Sequence, residues 1–297
     1  MSKIIKVEIK SLWGRFNLEW KLNPDVNILS GINGSGKSTI LECLAFLLTE
    51  GLLPEHLERK IQFIKVVFDD GQSIHFDSNA GYNGAKTIVE KLHNDVKIDI
   101  IKTFDNILLN TGRLNDKVVT ELDGEIFRLQ KQYLDYQLSI GKKAFEIVSR
   151  ANDQAAFEKV AEIRQKQEKF FSIMDYLFQE TGKRINRDNN EVSFLYDTEE
   201  ITTWQLSSGE KQMLVILLSA LVQDNNPAII FMDEPEISLH FDWQKKLIQY
   251  VLELNPNVQI ILATHSPAVV MDGWHDKVFN VRDLIVEDNV ESLAEDK

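Results

Sequence analysis

The sequence predicts an α/β protein with a mixed central sheet, antiparallel strands at the N-terminus and an inserted helical hairpin. Three observations carry that prediction. Short, predominantly apolar runs at Val26 to Leu29, Ala228 to Met232 and Val258 to Ala263 read as buried strands, and each ends in a polar segment. Ile4 to Ile9 and Phe16 to Trp20 alternate instead, which predicts an antiparallel pair ahead of the first buried strand. From about Asp123 to 180 the apolar residues recur every three or four positions, the period of a helix face.

Taken in order, the first element of consequence is Gly31 to Thr39, GINGSGKST, set between the strand Val26 to Leu29 and the apolar helix that begins near Ile40. It fits G-x-x-x-x-G-K-[ST] in the strand–loop–helix context that the pattern requires. Gly31, Gly34 and Gly36, with Asn33 and Ser35 between them, let successive N–H groups converge on phosphate oxygens at the positive end of the helix. Lys37 adds a charge for the β- and γ-phosphates, Ser38 a hydroxyl for Mg²⁺, and Thr39 a hydroxyl near the α-phosphate. A turn that merely joined strand to helix would not need a lysine and two hydroxyls in that order.

Trp13 and Phe16 stand either to reach an adenine ring or to pack into the sheet. Ile61 to Phe68 and Ser73 to Phe76, joined through Asp69-Asp70-Gly71, read as a hairpin, and Val96 to Phe104 as a further strand. Ile126, Leu129, Tyr133, Tyr136 and Ile140 form one helical stripe; Phe157, Val160, Phe171, Met174 and Phe178 form a second after the break at Ser149 to Asp153. The stripes are expected to face each other, which leaves the outer face for a partner. Thr181 to Asn190, with Lys183, Arg184 and Arg187, reads as a solvated loop, and Val192 to Tyr196 as a short strand. The expected division is a core lobe over 1–122, the hairpin over 123–180 and a second core lobe over 181–297.

Composition narrows the class. With 33 Lys+Arg against 46 Asp+Glu the chain carries −13, so nucleic acid contact would need a local basic patch or a partner. One cysteine, Cys43, rules out an internal disulfide and a thiolate zinc site. No apolar run approaches about 18 residues, and MSKIIKVEIK lacks a signal core, so a cytoplasmic protein without a membrane partner is expected.

The carboxyl-terminal half supplies the remaining chemistry. Ser207-Ser208-Gly209-Glu210 opens an apolar helix; its free N–H groups and the Ser207 hydroxyl suit an anion, although the same residues suit a plain N-cap. Asp233 and Glu234 end a buried strand, where α/β sheets bind ligands. Asp233 is placed to hold the Mg²⁺ shell and Glu234 to orient and deprotonate a water. His265, in Thr264-His265-Ser266-Pro267 after the last buried strand, reads as a γ-phosphate contact.

In that order, GINGSGKST, LSSGEKQ, IIFMDEPE and ATHSP resemble the Walker A loop, signature, Walker B run and switch histidine of ABC-type ATPase heads, over Ile4 to about Asn280. EPEISLH, Glu234 to His240, resembles the same segment of ATPases of the overcoming-lysogenization-defect type and related antiphage AAA ATPases. The resemblance implies the ABC P-loop fold, Mg²⁺-dependent ATP hydrolysis with Glu234 and His265 catalytic, and a head-to-tail homodimer or higher assembly. In it, Ser207 and Gly209 would contact the γ-phosphate held by the partner subunit. Ser208 departs from the usual glycine, and no glutamine stands at a strand end, which leaves Asp105 as the candidate for the Gln-loop position. The short tail Val281 to Lys297 is expected to leave no room for a nuclease domain, and the resemblance implies a separate effector, such as a toprim-type nuclease, as the partner. The opening SLWGRFNLEWKLNPDVNILSGINGSGKST, with Arg15, also resembles RecF and SMC heads; a DNA-repair or chromosome-maintenance head is therefore the second reading, and a transporter ATPase the third.

Overall fold

Residues 3–49, 55–58, 60–78, 97–102, 120–150 and 154–286 are described in the computed structural model. The chain opens with the antiparallel pair β1 (Ile4–Leu12) and β2 (Phe16–Lys21), then β3 (Val26–Ser30) and α1 (Lys37–Leu48) around the glycine-rich loop. After the short α2 (Glu55–Glu58) come the hairpin β4 (Phe63–Phe68) and β5 (Ser73–Asp77), and then β6 (Lys97–Lys102). Two long helices, α3 (Glu121–Arg150) and α4 (Gln154–Phe178), precede the meander β7 (Lys183–Ile185), β8 (Ser193–Tyr196) and β9 (Glu199–Thr202). The rest runs α5 (Ser208–Val222), β10 (Ala228–Asp233), α6 (Phe241–Leu254), β11 (Val258–Ala263), α7 (Pro267–Met271), β12 (Val278–Asn280) and β13 (Ile285–Val286).

The expected parallel and antiparallel strands are both present, divided between sheets. β12-β3-β11-β10-β6 form a parallel sheet, and β13-β2-β1-β4-β5 an antiparallel one. Gln259 on β11 stitches the two together: it accepts from Ile4 N–H at 2.8 Å and donates to the Ile4 and Asn23 carbonyls, both at 2.8 Å. Such a buried amide is tolerable only because its polar atoms are matched.

Because side chains alternate along a strand, the parallel sheet separates two apolar cores. Ala228, Ile230 and Met232 pack with α3, α4, α5 and α6, while Ile229 and Phe231 pack with α1 and the antiparallel sheet. Cys43 belongs to the second core, and burial pushes its thiol up to about 12, so it is an inert packing residue. Helix α5 is apolar on every side from Met213 to Leu218 because it is enclosed on every side.

Two expectations need correction. The stripe on α4 is not all core: Phe171, Met174 and Phe178 are buried, but Phe157 is 55% exposed, because only the end of α4 next to the sheet has α5 and α6 to pack on. Nor is Thr181 to Asn190 simply a solvated loop. Lys183 to Ile185 form β7, and the Lys183 ammonium turns inward to a buried carboxylate. Among the described residues, no helix is long and apolar enough to cross a membrane.

Candidate functional site

β3 runs directly into the glycine-rich loop; its parallel neighbour β11, and β10 on the far side of β11, end beside it. Gly36, the residue before α1, has φ 102°, a conformation natural to glycine alone. A Cβ there would also come within 2.3 Å of the Trp13 ring, so Trp13 lies directly over the loop. Ser35 fills the inside of the turn, where a Cβ on Gly31 would come 2.7 Å from its hydroxyl; among the described residues that buried hydroxyl has no hydrogen-bond partner.

A cavity of about 500 Å³ opens above this loop, lined by Trp13, Asn33, Gly34, Gly36, Lys37, Ser38, Thr39, Glu234 and His265. The Lys37 ammonium donates to the Gly31 and Ile32 carbonyls at 3.2 and 3.4 Å and lies 2.5 Å from His265 Nε2. Burial holds its pKa below the ordinary lysine value, against the opposing pull of Glu234, Asp233 and Glu236. A cation held by carbonyls of its own loop is poised to exchange them for phosphate oxygens. Ser38 donates from Oγ to Asp233 Oδ1 at 3.0 Å. Burial raises the Asp233 carboxyl above the usual range; the Ser38 bond opposes this and the neighbouring Glu234 adds to it. Such a carboxylate gains from a cation. A hydroxyl and one carboxylate suit Mg²⁺ that takes its other ligands from phosphate and water. Among the described residues, no group of three or more His, Cys, Asp or Glu side chains could hold a metal.

Glu234 follows β10 with φ 49°, left-handed backbone that a non-glycine residue adopts at a cost. Its N–H donates to the Ala263 carbonyl at 2.8 Å, which turns the side chain toward the cavity and sets Oε1 3.5 Å from His265 Nε2. The sequence reading gave no role to Glu236. Its Oε1 accepts from Thr264 Oγ at 2.5 Å, His265 N–H at 2.9 Å and Ser266 N–H at 3.1 Å, which fixes the loop that presents His265. No spacing in the sequence links these residues; they meet because β10 and β11 are neighbours. Trp13, left between two readings, lines the cavity with Phe16 edge-on at 6.4 Å.

The signature residues do not line this cavity. Ser207 caps α5, where its hydroxyl accepts from Glu210 N–H at 3.4 Å and donates to Glu210 Oε2 at 3.0 Å, with the Ser207 N–H donating to the same oxygen at 2.9 Å. This is the N-cap that the sequence also allowed. Gly209 sits against the segment after β10, and a Cβ on it would meet the Ser238 carbonyl at 2.3 Å. Asp105, the Gln-loop candidate, lies outside the described residues.

Residues 26–272 match the family described as "AAA domain, putative AbiEii toxin, Type IV TA system". The chain belongs to this AAA-domain family. The chain is also 28% identical to the Retron Vc95 probable ATPase of Vibrio cholerae over 62% of this chain and 37% of that one. It is 22% identical to the Septu protein PtuA of Bacillus thuringiensis over 91% of this chain and 73% of that one. The match to the retron protein thus spans well under half of that relative's length. Among solved structures the SMC head domain from Thermotoga maritima has the same fold, with a TM-score of 0.52, 16% identity and coverage of 94% of both chains. The family member's fold is therefore that of an ABC/SMC-type ATPase head.

Proposed function

We propose that this chain binds and hydrolyses ATP with Mg²⁺, closes head to tail on a second copy around the nucleotides, and thereby regulates a separate effector. The observation that carries this reading is the convergence of Lys37, Ser38, Glu234 and His265 on a single cavity, with Asp233 hydrogen-bonded to Ser38 beside it. Gly31 to Thr39 cradle the phosphates through backbone N–H groups, and Lys37 neutralises their outer charge. Ser38 and Asp233 would hold Mg²⁺, which supplies positive charge at the β- and γ-phosphate oxygens. Glu234 takes the proton of the attacking water, while His265 steadies the γ-phosphate and Glu236 steadies His265. Ser207 and Gly209 complete the site on the partner subunit's nucleotide.

The functional lobes are 1–122 and 181–297, with the hairpin 123–180 as the element through which a partner is engaged. Kinship with a retron ATPase and a Septu protein favours a role in antiphage defence, with a nuclease, of toprim type in the first instance, as the effector. Calorimetric titration with ATP tests the base of this reading. Lys37→Ala should abolish binding, because the backbone alone holds the phosphates weakly; an unchanged affinity would remove Gly31 to Thr39 as the phosphate site.

A further inference from the structure

The start of α5 poses an electrostatic problem. Under the proposed function, Ser207 offers its N–H and hydroxyl to the γ-phosphate of the nucleotide held by the second chain. Both groups already donate to Glu210 Oε2, at 2.9 and 3.0 Å. A phosphate arriving there would meet a carboxylate within hydrogen-bonding reach of its own donors. That carboxylate is only 3% exposed, so water screens its charge poorly. Uncompensated, it would oppose the phosphate that the signature is meant to receive.

Compensation is built in on the far side of the same group. Glu210 Oε1 accepts from Lys183 Nζ at 2.8 Å and from Thr181 Oγ at 3.0 Å. Burial pushes the Glu210 carboxyl up, and the bonds from Lys183, the Ser207 N–H and Thr181 outweigh it, so the group stays ionised and anchored. Lys183 is itself mostly buried, at 18% exposure, and stands on β7, just after the helical hairpin, 27 positions before Glu210.

We infer that Lys183 is a positioning residue for ATP hydrolysis: it neutralises Glu210 and holds its carboxylate so that the Ser207 donors can be given to the partner subunit's γ-phosphate. The inference rests on the shared-site reading of Ser207. It also makes the junction between hairpin and signature helix a control point, because a shift of β7 that withdraws Lys183 would leave a bare negative charge beside the phosphate.

The test is a charge cycle measured as steady-state ATP hydrolysis, with thermal unfolding of each variant followed alongside. Lys183→Met should lower kcat about tenfold or more, as expected when a poorly screened charge loses its partner, and leave KM within about twofold. Lys183→Arg should keep kcat near the starting value. Adding Glu210→Gln to Lys183→Met should restore kcat to within about threefold of Glu210→Gln alone, since the charge needing compensation is gone. If Lys183→Met does not fold, Lys183→Gln, which keeps a donor and removes only the charge, carries the same expectation. Unchanged kcat in the charge-removing variant, or a double variant no better than Lys183→Met, would overturn the inference. The shared-site reading fails separately, if Ser207→Arg hydrolyses ATP at the full rate at dilutions where it is monomeric.

Discussion

The phosphate half and the signature half of this molecule are both built at helix N-termini, yet they differ in what their polar groups are doing. Around α1, Lys37, Glu234 and His265 line an open cavity, and Lys37 is held by carbonyls of its own loop and by His265 Nε2. Around α5, Ser207 and Glu210 satisfy one another and Glu210 is further held by Lys183 and Thr181. One half is a site awaiting a ligand within its own chain. The other is a capping structure whose donors would meet a phosphate only under the proposed head-to-tail pairing.

The sharpest way to break this comparison is Ser207→Arg. A bulky cation at the first turn of α5 should leave ATP binding by each chain nearly intact, because the phosphate cavity is untouched, and should abolish hydrolysis. Equilibrium binding and phosphate release, measured on the same preparation, separate the two effects. If binding and hydrolysis fell together, the signature would be acting on its own chain's nucleotide.

On the phosphate half, Glu234→Gln keeps the shape and removes the proposed base. Hydrolysis should drop by about two to four orders of magnitude, with ATP still bound. A variant hydrolysing ATP at the original rate would return the proton-abstracting role to another group.

A smaller effect is expected one shell further out. Glu236→Ala removes the acceptor of three hydrogen bonds that fix Thr264, His265 and Ser266, so kcat should fall by about ten- to a hundredfold while the ATP Kd changes by no more than about threefold. A large loss of affinity instead would mean that this loop supports binding rather than turnover.

The smallest effect is one of acid stability. The Glu210 carboxyl is held below its ordinary value in the folded chain, so its contribution is fully present above the unfolded carboxylate value and is lost as pH falls through the lower folded value. Urea midpoints measured downward from neutral pH should therefore converge for the native chain and Glu210→Gln in acid and diverge above it. Parallel curves would show that the Glu210 bonds contribute nothing net.

Much of the phosphate half was legible in the sequence because its residues are contiguous: GINGSGKST carries loop, cation and hydroxyls in nine positions, and Asp233 with Glu234 end a run that only a buried strand explains. What could not be read depends on strand order. Glu236 meets Thr264, His265 and Ser266 only because β11 lies beside β10, and Lys183 meets Glu210 only because β7 passes the start of α5. A cluster of basic residues in a polar stretch resembles a solvated loop whichever way one of them turns, so the sequence alone predicts Lys183 in solvent. Phe157 departs from expectation for the opposite reason. Helical periodicity marks a face as apolar, but whether a neighbour covers it is a matter of tertiary packing.

The central claim, that two chains share each site, is tested most directly by sedimentation of Glu234→Gln with and without ATP and Mg²⁺. The account predicts that ATP converts a lighter species into a stable dimer or an assembly of dimers, and that adding Ser207→Arg to the same chain abolishes the shift while ATP remains bound. An ATP-saturated Glu234→Gln protein whose sedimentation does not change, or a shift that survives Ser207→Arg intact, would contradict it.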